Sequence, residues 1–108
     1  MRDVYSEQLL AVHSGAAGTI AVPAGMRYVI RDICAFNPNA IVPEAAALVH
    51  HPSGCTVFQA SNLFSADPSN GGYVHLECRI VVDAGESLTT NNGADVDMFV
   101  SGYALTLP

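Results

Sequence analysis

Histidine and carboxylate side chains are the groups in this 108-residue chain best suited to metal chemistry. His75 and Glu77 lie two positions apart in an alternating stretch, so in a strand both side chains point to one face. Two potential ligands on one strand face have the spacing that a metal-binding jelly roll uses, which makes His75 and Glu77 the candidate metal ligands. Because two ligands fall short of a site, the sequence favours a polar outward face there, without metal or other cofactor.

A cupin-like metal enzyme or small-ligand binder is the alternative that these residues leave open. The cupin pattern has two histidines two positions apart, a glutamate a few residues on, and another histidine in a second motif. Here Leu76 is flanked by one histidine, and no histidine follows His75. The missing ligand would be His50 or His51, which as neighbours in a strand point to opposite faces.

Other catalytic or binding patterns have little support. The chain has no G-x-S-x-G nucleophile elbow. Cys55 could meet His50 or His51 across a hairpin, but without an activating environment packing is the favoured role of such a pair. A carbohydrate-binding sandwich would need exposed aromatic side chains, and the chain has four Tyr and no Trp. We therefore predict that the protein is not an enzyme.

The composition limits the possible partners. The net charge is −6, which disfavours nucleic acid and acidic membrane surfaces. No run of 18 apolar residues exists that would span a bilayer, and the N-terminus lacks the layout of a secretory signal. Charged residues make up 13 % of the chain, against about 25 % in typical proteins, and lysine is absent. Because surfaces that stay monomeric are usually rich in lysine, this surface is expected to meet other protein.

Glycine and proline interrupt the sequence every ten to fifteen residues, a rhythm typical of all-β proteins. Ser6–Val12 and Pro43–Val49 also fit helices by composition, but strands are favoured for both. Strands are predicted over Val4–His13, Thr19–Val22, Met26–Phe36, Ala45–His51, Thr56–Ala60, Tyr73–Val82, Glu86–Thr90 and Asp95–Leu107. Seven to eight strands at this spacing predict one antiparallel β-sandwich domain over residues 1–108, jelly-roll-like in architecture.

Two short features refine this prediction. Ile20–Gly25 and Ile80–Gly85 share the pattern Ile-x-Val-x-Ala-Gly, which predicts two equivalent turns whose glycine takes a positive φ. Gly102 interrupts the last strand and predicts a bulge or a close approach of another backbone.

The longest apolar strand, Met26–Phe36, carries apolar residues on both faces. Strict alternation places Met26, Tyr28, Ile30, Cys34 and Phe36 on one face, and Val29, Ile33 and Ala35 on the other. The second face has no obvious cover within the chain. We therefore expect Val29, Ile33 and Ala35 to form the interface of a homo-oligomer, a trimer or larger.

Two runs carry a resemblance to a known class of proteins. VPAGMRYVIRDICAFNPNA and VVDAGESLTTNNGADVDMFVSGYAL resemble small phage virion proteins, whose members have a V-P-A-G turn, an R-Y-V-I-R-D-like strand and a terminal G-Y-x-L. The resemblance covers Thr19–Asn39 and Ile80–Leu105. It implies a β-sandwich subunit of a virion that decorates or cements a capsid or belongs to the tail or head–tail region, with other virion proteins as partners. It carries over no catalytic residue. The three cysteines are odd in number and lack a C-x-x-C spacing, which indicates free thiols in a reducing cell, so the protein is expected to be made in the host cytoplasm.

Overall fold

The computed structural model describes residues 4–12, 18–68 and 71–107, with side chains described from Gln8 onward except that of Val12. These residues form strands β1 (Val4–Val12), β2 (Thr19–Ala21), β3 (Met26–Phe36), β4 (Glu44–His51), β5 (Thr56–Leu63), β6 (Tyr73–Asp83), β7 (Ser87–Asn92) and β8 (Asp97–Thr106). Within the described ranges there is no helix, and hence none long and apolar enough to cross a membrane. The all-β prediction is confirmed, and each predicted strand overlaps an observed one.

The strands form two four-stranded antiparallel sheets. The first sheet has the order β1-β8-β3-β6 and the second the order β2-β7-β4-β5. Only β4 and β5 follow one another within a sheet, and every other connection crosses from one sheet to the other. The predicted β-sandwich is therefore confirmed, with eight strands in the described residues.

The core lies between the inward faces of the two sheets. Fully buried side chains come from both, among them Ile30, Ile33 and Val100 of the first sheet and Leu48 and Leu88 of the second. Burying an aliphatic side chain of this size stabilises a fold by about 1.5–3 kcal/mol. Packing of these side chains therefore holds the sheets together.

A β-bulge in β3 changes which residues face the core. Ile30 pairs with Gly102 of β8, but the next pair joins Asp32 to Ser101, so Arg31 is an extra residue in β3. An extra residue shifts the alternation by one position. As a result, Ile30 and Ile33, three positions apart, both lie in the core with no exposed surface.

Gly102 lies opposite this bulge, where β8 and β3 approach closely. A Cβ atom at this position would lie 2.0 Å from the carbonyl oxygen of Val29 and 3.0 Å from the Cα atom of Ile30. No side chain fits in that space, so only glycine allows the two strands to pair here. The close approach predicted from the sequence is confirmed.

The two Ile-x-Val-x-Ala-Gly segments form neighbouring turns at one end of the sandwich. Gly25 and Gly85 have φ angles of 79° and 82°, as predicted for turns that need a residue without a Cβ atom. The amide of Val22 donates to the carbonyl of Glu86 (3.1 Å), and the amide of Gly85 donates to the carbonyl of Val22 (3.0 Å). The repeated sequence thus corresponds to two similar turns that are hydrogen-bonded to each other.

Candidate functional site

Strand β6 presents the predicted polar face to solvent. Val82 on its inward face is fully buried, and Val74, Cys78 and Ile80 pack against the core. His75 and Glu77 are both exposed, on the outer face of the first sheet. The two candidate ligands therefore share a face as predicted, outside the sandwich rather than within it.

Asp32 of β3 joins these two side chains. It pairs in register with Glu77, while Cys34, two positions on, pairs with His75. Oδ1 of Asp32 lies 2.9 Å from Nε2 of His75. One imidazole nitrogen of His75 and one carboxylate oxygen each of Asp32 and Glu77 all lie within 4.8 Å of one another. The cluster thus contains one imidazole and two carboxylates. Sequence reasoning missed Asp32 because its nearness depends on strand pairing across 43 residues.

Two of the arginines near this cluster, Arg27 and Arg31, make other contacts. Arg27 donates to Asp83 across the strand pair at 2.6 Å. The guanidinium of Arg31, the bulged residue, lies 5.8 Å from the ring centre of Tyr103. Among the described residues, no arginine forms an ion pair with Asp32 or Glu77. Within the described ranges, therefore, neither carboxylate has a guanidinium partner.

His50 and His51 are not part of this cluster, so the four residues of the cupin-like alternative do not converge. His51 Nε2 lies 2.9 Å from the hydroxyl of Thr89. His50 Nδ1 lies 2.6 Å from Oγ of Ser53, and its Nε2 lies 3.3 Å from a carboxylate oxygen of Glu86. The imidazole of His50 is therefore engaged by Ser53 and Glu86.

The Ser53–His50–Glu86 arrangement contains the three residue types of a hydrolytic triad, but it has a structural explanation. Oγ of Ser53 also accepts the amide of Cys55 at 3.1 Å, within the turn between β4 and β5. His50 belongs to the same hairpin, whereas Glu86 precedes β7. The three side chains therefore tie the β4–β5 turn to the neighbouring segment.

The three predicted interface residues do not share a face. Ile33 and Ala35 are fully buried in the core, whereas Val29 lies outside the core cluster with 8 % of its surface exposed. The prediction that Ile33 and Ala35 share a face with Val29 was wrong. The bulge at Arg31 shifts the alternation by one position, so that odd-numbered residues of β3 after Arg31 face the core instead of the outer side. An oligomer interface on the outer side of β3 stays a prediction.

The outer face of the first sheet is built from rows of three paired residues, one each from β3, β6 and β8. The rows are Arg27, Asp83 and Leu105; Val29, Val81 and Tyr103; Asp32, Glu77 and Ser101; Cys34, His75 and Phe99; and Phe36, Tyr73 and Asp97. Two exposed apolar side chains, Tyr73 at 48 % and Val81 at 45 %, lie on this face. Asp32, His75 and Glu77 thus lie beside the apolar and aromatic side chains Val81, Tyr103 and Phe99.

Tyr73 and Cys34 interact beside the cluster. The hydroxyl of Tyr73 donates to Sγ of Cys34 at 3.5 Å. This hydrogen bond is the main reason that the pKa of Tyr73 is raised above its usual value, with smaller contributions from burial and from the charges of Cys34 and Asp32. Cys34, Cys55 and Cys78 are all free thiols, and Cys55 is exposed.

The loop between β3 and β4 presents a second apolar feature, which sequence reasoning missed. Ile41 is 81 % exposed and Val42 is 48 % exposed. Oδ1 of Asn39 accepts the amides of both residues at 3.1 Å, and the buried Asn37 donates to the carbonyl of Val42 at 3.0 Å. An apolar pair between Pro38 and Pro43 was the available signal.

A shallow groove of about 330 Å³ lies on the second sheet. Its lining includes Ala47, Gln59 and Asn91, together with Glu44, whose carboxylate accepts the amides of Ala94 and Asp95 at 3.1 and 2.8 Å. No aromatic side chain lines the groove. It therefore lacks the stacking surface on which sugar binding usually depends.

Comparison with known proteins identifies similar folds. No protein-family model matches the chain, and no curated protein does. The core of the Drosophila protein NLP, described for pentamer formation and histone binding, matches 94 % of this chain and 96 % of its own, with a TM-score of 0.56 and 10 % identity. At this identity the likeness shows the fold alone.

Two viral proteins are also similar in outline. A chain from the virus-like particle of the extra small virus of the giant freshwater prawn Macrobrachium rosenbergii has a TM-score of 0.46 and 13 % identity. The match covers 97 % of this chain and 77 % of the viral chain. A pentameric capsid protein from metagenomic phage sequences matches 94 % of this chain with a TM-score of 0.47 and 22 % identity. The chain spans 61 % of the length of that capsid protein.

Proposed function

We propose that the protein is a non-enzymatic structural subunit of a phage virion, which forms homo-oligomers and decorates or cements a larger shell. The observation that carries the proposal is the strand order, β1-β8-β3-β6 facing β2-β7-β4-β5. We interpret this order as that of a jelly roll, an architecture that viral capsid domains share with lectins and cupins. The resemblance of Thr19–Asn39 and Ile80–Leu105 to phage virion proteins favours the first of these three classes.

The surface of the protein supports assembly rather than catalysis. The chain contains no lysine, and its outer face on the first sheet exposes Tyr73 and Val81 around the half-buried Tyr103 and Phe99. Aromatic residues are enriched and lysine is depleted where proteins meet. We assign this face to the contact between copies of the chain, with Val29 beneath it. The copy number, a trimer or larger, is part of the proposal.

The assembly is tested with the isolated chain and with the particle. Gel filtration with light scattering should give an oligomer at micromolar concentration, and the oligomer should co-sediment with phage particles that lack this subunit. Val81→Asp should lower the oligomer mass, since it places a charge in the proposed contact. Gln59→Asp is the matched control, an exposed strand position on the second sheet. A stable monomer that does not bind particles would contradict the proposal.

A tail or head–tail location is the alternative within the same proposal. The sequence resemblance is shared by both locations, and the fold is compatible with either. Immunogold labelling of intact particles with an antibody against the chain distinguishes them. Labelling over the whole head supports a decoration role, whereas labelling at the tail or at one vertex favours the alternative.

A further inference from the structure

We propose that Asp32, His75 and Glu77 form a binding site for a divalent transition-metal ion, with Zn²⁺ as its best match. The proposal concerns the isolated chain and does not depend on the virion function. It rests on the three side chains that β3 and β6 bring together on the outer face of the first sheet.

The donor set fits zinc better than calcium or magnesium. Zn²⁺ accepts imidazole nitrogen together with carboxylate oxygen, and three protein ligands plus one water complete a tetrahedron. Calcium needs six to eight oxygen ligands, and magnesium prefers oxygen ligands and retains several waters. One imidazole and two carboxylates supply three ligands. In the single chain His75 and Glu77 are exposed and the fourth position is open to solvent, whereas in the proposed oligomer that position lies at the contact between copies.

The distances require small side-chain movements only. Two ligands on a tetrahedral zinc ion lie about 3.3 Å apart, from bonds of about 2.0–2.1 Å. Asp32 Oδ1 and His75 Nε2 are already 2.9 Å apart, and all three ligand atoms lie within 4.8 Å of one another. A metal ion would replace the hydrogen bond between Nε2 and Oδ1, and the imidazole proton would then reside on Nδ1.

The local charge also favours a cation. Asp32 and Glu77 place two carboxylates together with no arginine ion pair among the described residues, in a chain of net charge −6. Arg27 is held by Asp83, and Arg31 lies over Tyr103. A bound Zn²⁺ would therefore relieve the repulsion between the two carboxylates. The backbone supports the arrangement, since the register shift between β3 and β6 places Cys78 and Arg79 opposite Arg31 and thereby pairs Asp32 with Glu77.

Calorimetric titration of the chelator-treated chain with Zn²⁺ tests the site. We expect one ion per chain and a loss of affinity of about tenfold or more for His75→Ala, because even losing a group that only supports a ligand costs 10–100-fold. Glu77→Gln should weaken binding as well. His51→Ala is the matched control, an exposed histidine outside the cluster, and should bind Zn²⁺ as the original chain does.

Two further measurements make the result specific. Zn²⁺ should raise the melting temperature of the original chain and of His51→Ala but not that of His75→Ala. A cooperative melting transition of His75→Ala without zinc shows that this variant folds. Co²⁺ should give a spectrum without a thiolate charge-transfer band, although Cys34 lies beside His75. The proposal is overturned if His75→Ala leaves the affinity unchanged, if His51→Ala weakens it equally, or if a thiolate band appears and is lost in Cys34→Ser.

Discussion

At the scale of single residues, Asn37 is the polar side chain on which local structure most depends. It follows β3 and is fully buried. Its amide donates to the carbonyls of Leu63 (2.6 Å) and Val42 (3.0 Å), and its own side-chain oxygen accepts the amide of Asn39 (2.9 Å). One side chain thus ties the end of β5 to the loop that carries Ile41.

Replacing Asn37 with alanine should lower the free energy of unfolding by about 2–3 kcal/mol, because buried backbone groups lose their partners. Urea denaturation monitored by circular dichroism measures the change. The control is Asn91→Ala, an exposed position where the change should stay within about 0.5 kcal/mol. Equal effects of the two substitutions would show that the buried hydrogen bonds are not responsible.

Cys55 and Cys78 should differ in reactivity. Burial raises the pKa of the Cys78 thiol, the charge of Asp32 raises it further, and Arg31 partly opposes this. Cys55 is exposed in the β4–β5 turn. Because the thiolate is the reactive form, iodoacetamide at pH 8 should modify Cys55 before Cys78. Mass spectrometry of peptides at successive times gives the order, and Cys55→Ser removes the fast phase. Faster labelling of Cys78 would contradict this prediction.

The raised pKa of Cys78 also gives the sign of a pH dependence. In the unfolded chain this thiol loses its proton near its ordinary pKa of 9.0, whereas in the folded chain it keeps the proton to higher pH. The stability contributed by this group is therefore complete below pH 9.0 and falls as the pH rises above it. Urea titrations between pH 8 and 10 should show a smaller alkaline loss of stability in Cys78→Ala than in the original chain.

At the scale of elements, β3 is one of the two inner strands of the first sheet, and it pairs with both β6 and β8. The bulge at Arg31 brings Ile33 and Ala35 into the core. The register shift against β6, which places Cys78 and Arg79 opposite Arg31, pairs Asp32 with Glu77. Gly102 makes the pairing of β3 with β8 possible, since its backbone lies against Val29 where a side chain would not fit.

Gly102→Ala should destabilise the fold by about 3 kcal/mol or more, the upper end of overpacking effects, since its Cβ would overlap the carbonyl of Val29. Gly85→Ala is the instructive comparison. Its Cβ would meet no atom within 4 Å, but φ is 82°, so only a backbone cost of about 1–2 kcal/mol is expected. Thermal unfolding ranks the two variants. A Gly102→Ala protein as stable as Gly85→Ala would mean that β3 and β8 can separate.

The reversal of faces along β3 has its own test. Ile33→Ala should cost about 2–5 kcal/mol, as expected for a fully buried isoleucine. Val81→Ala, at a position 45 % exposed on the outer face, should change stability by about 0.5 kcal/mol or less in the monomer. Chemical denaturation at low protein concentration measures both. A small effect at Ile33 would mean that its side chain lies on the outer face with Val29, as strict alternation along β3 predicts.

At the scale of the whole molecule, the apolar side chains fall into two groups: those buried between the sheets and those exposed on the surface. The core joins both sheets, whereas Ile41, Val42, Tyr73 and Val81 are large apolar side chains left exposed. Ile41 and Val42 lie on a loop fixed by asparagine side chains, so binding of a partner there would not carry a large cost in conformational entropy.

Ile41→Asp should leave the monomer as stable as before, because this side chain is 81 % exposed, but should weaken attachment to the particle at least about tenfold if it is an anchor. Co-sedimentation with particles measures attachment, and thermal unfolding checks the fold. Ala84→Asp adds the same charge at an exposed turn and should attach normally. Normal attachment of Ile41→Asp would exclude the loop from the contact.

The sequence by itself determined the strands, the two-sheet class and the glycine turns, because alternation and positive φ are local properties of the backbone. His75 and Glu77 were found for the same reason, as residues two apart in one strand. The tertiary structure alone decided that Ile33 faces the core, that Asp32 completes the cluster and that Ile41 is exposed. These depend on register between strands distant in sequence, and one bulged residue reverses every face that follows it.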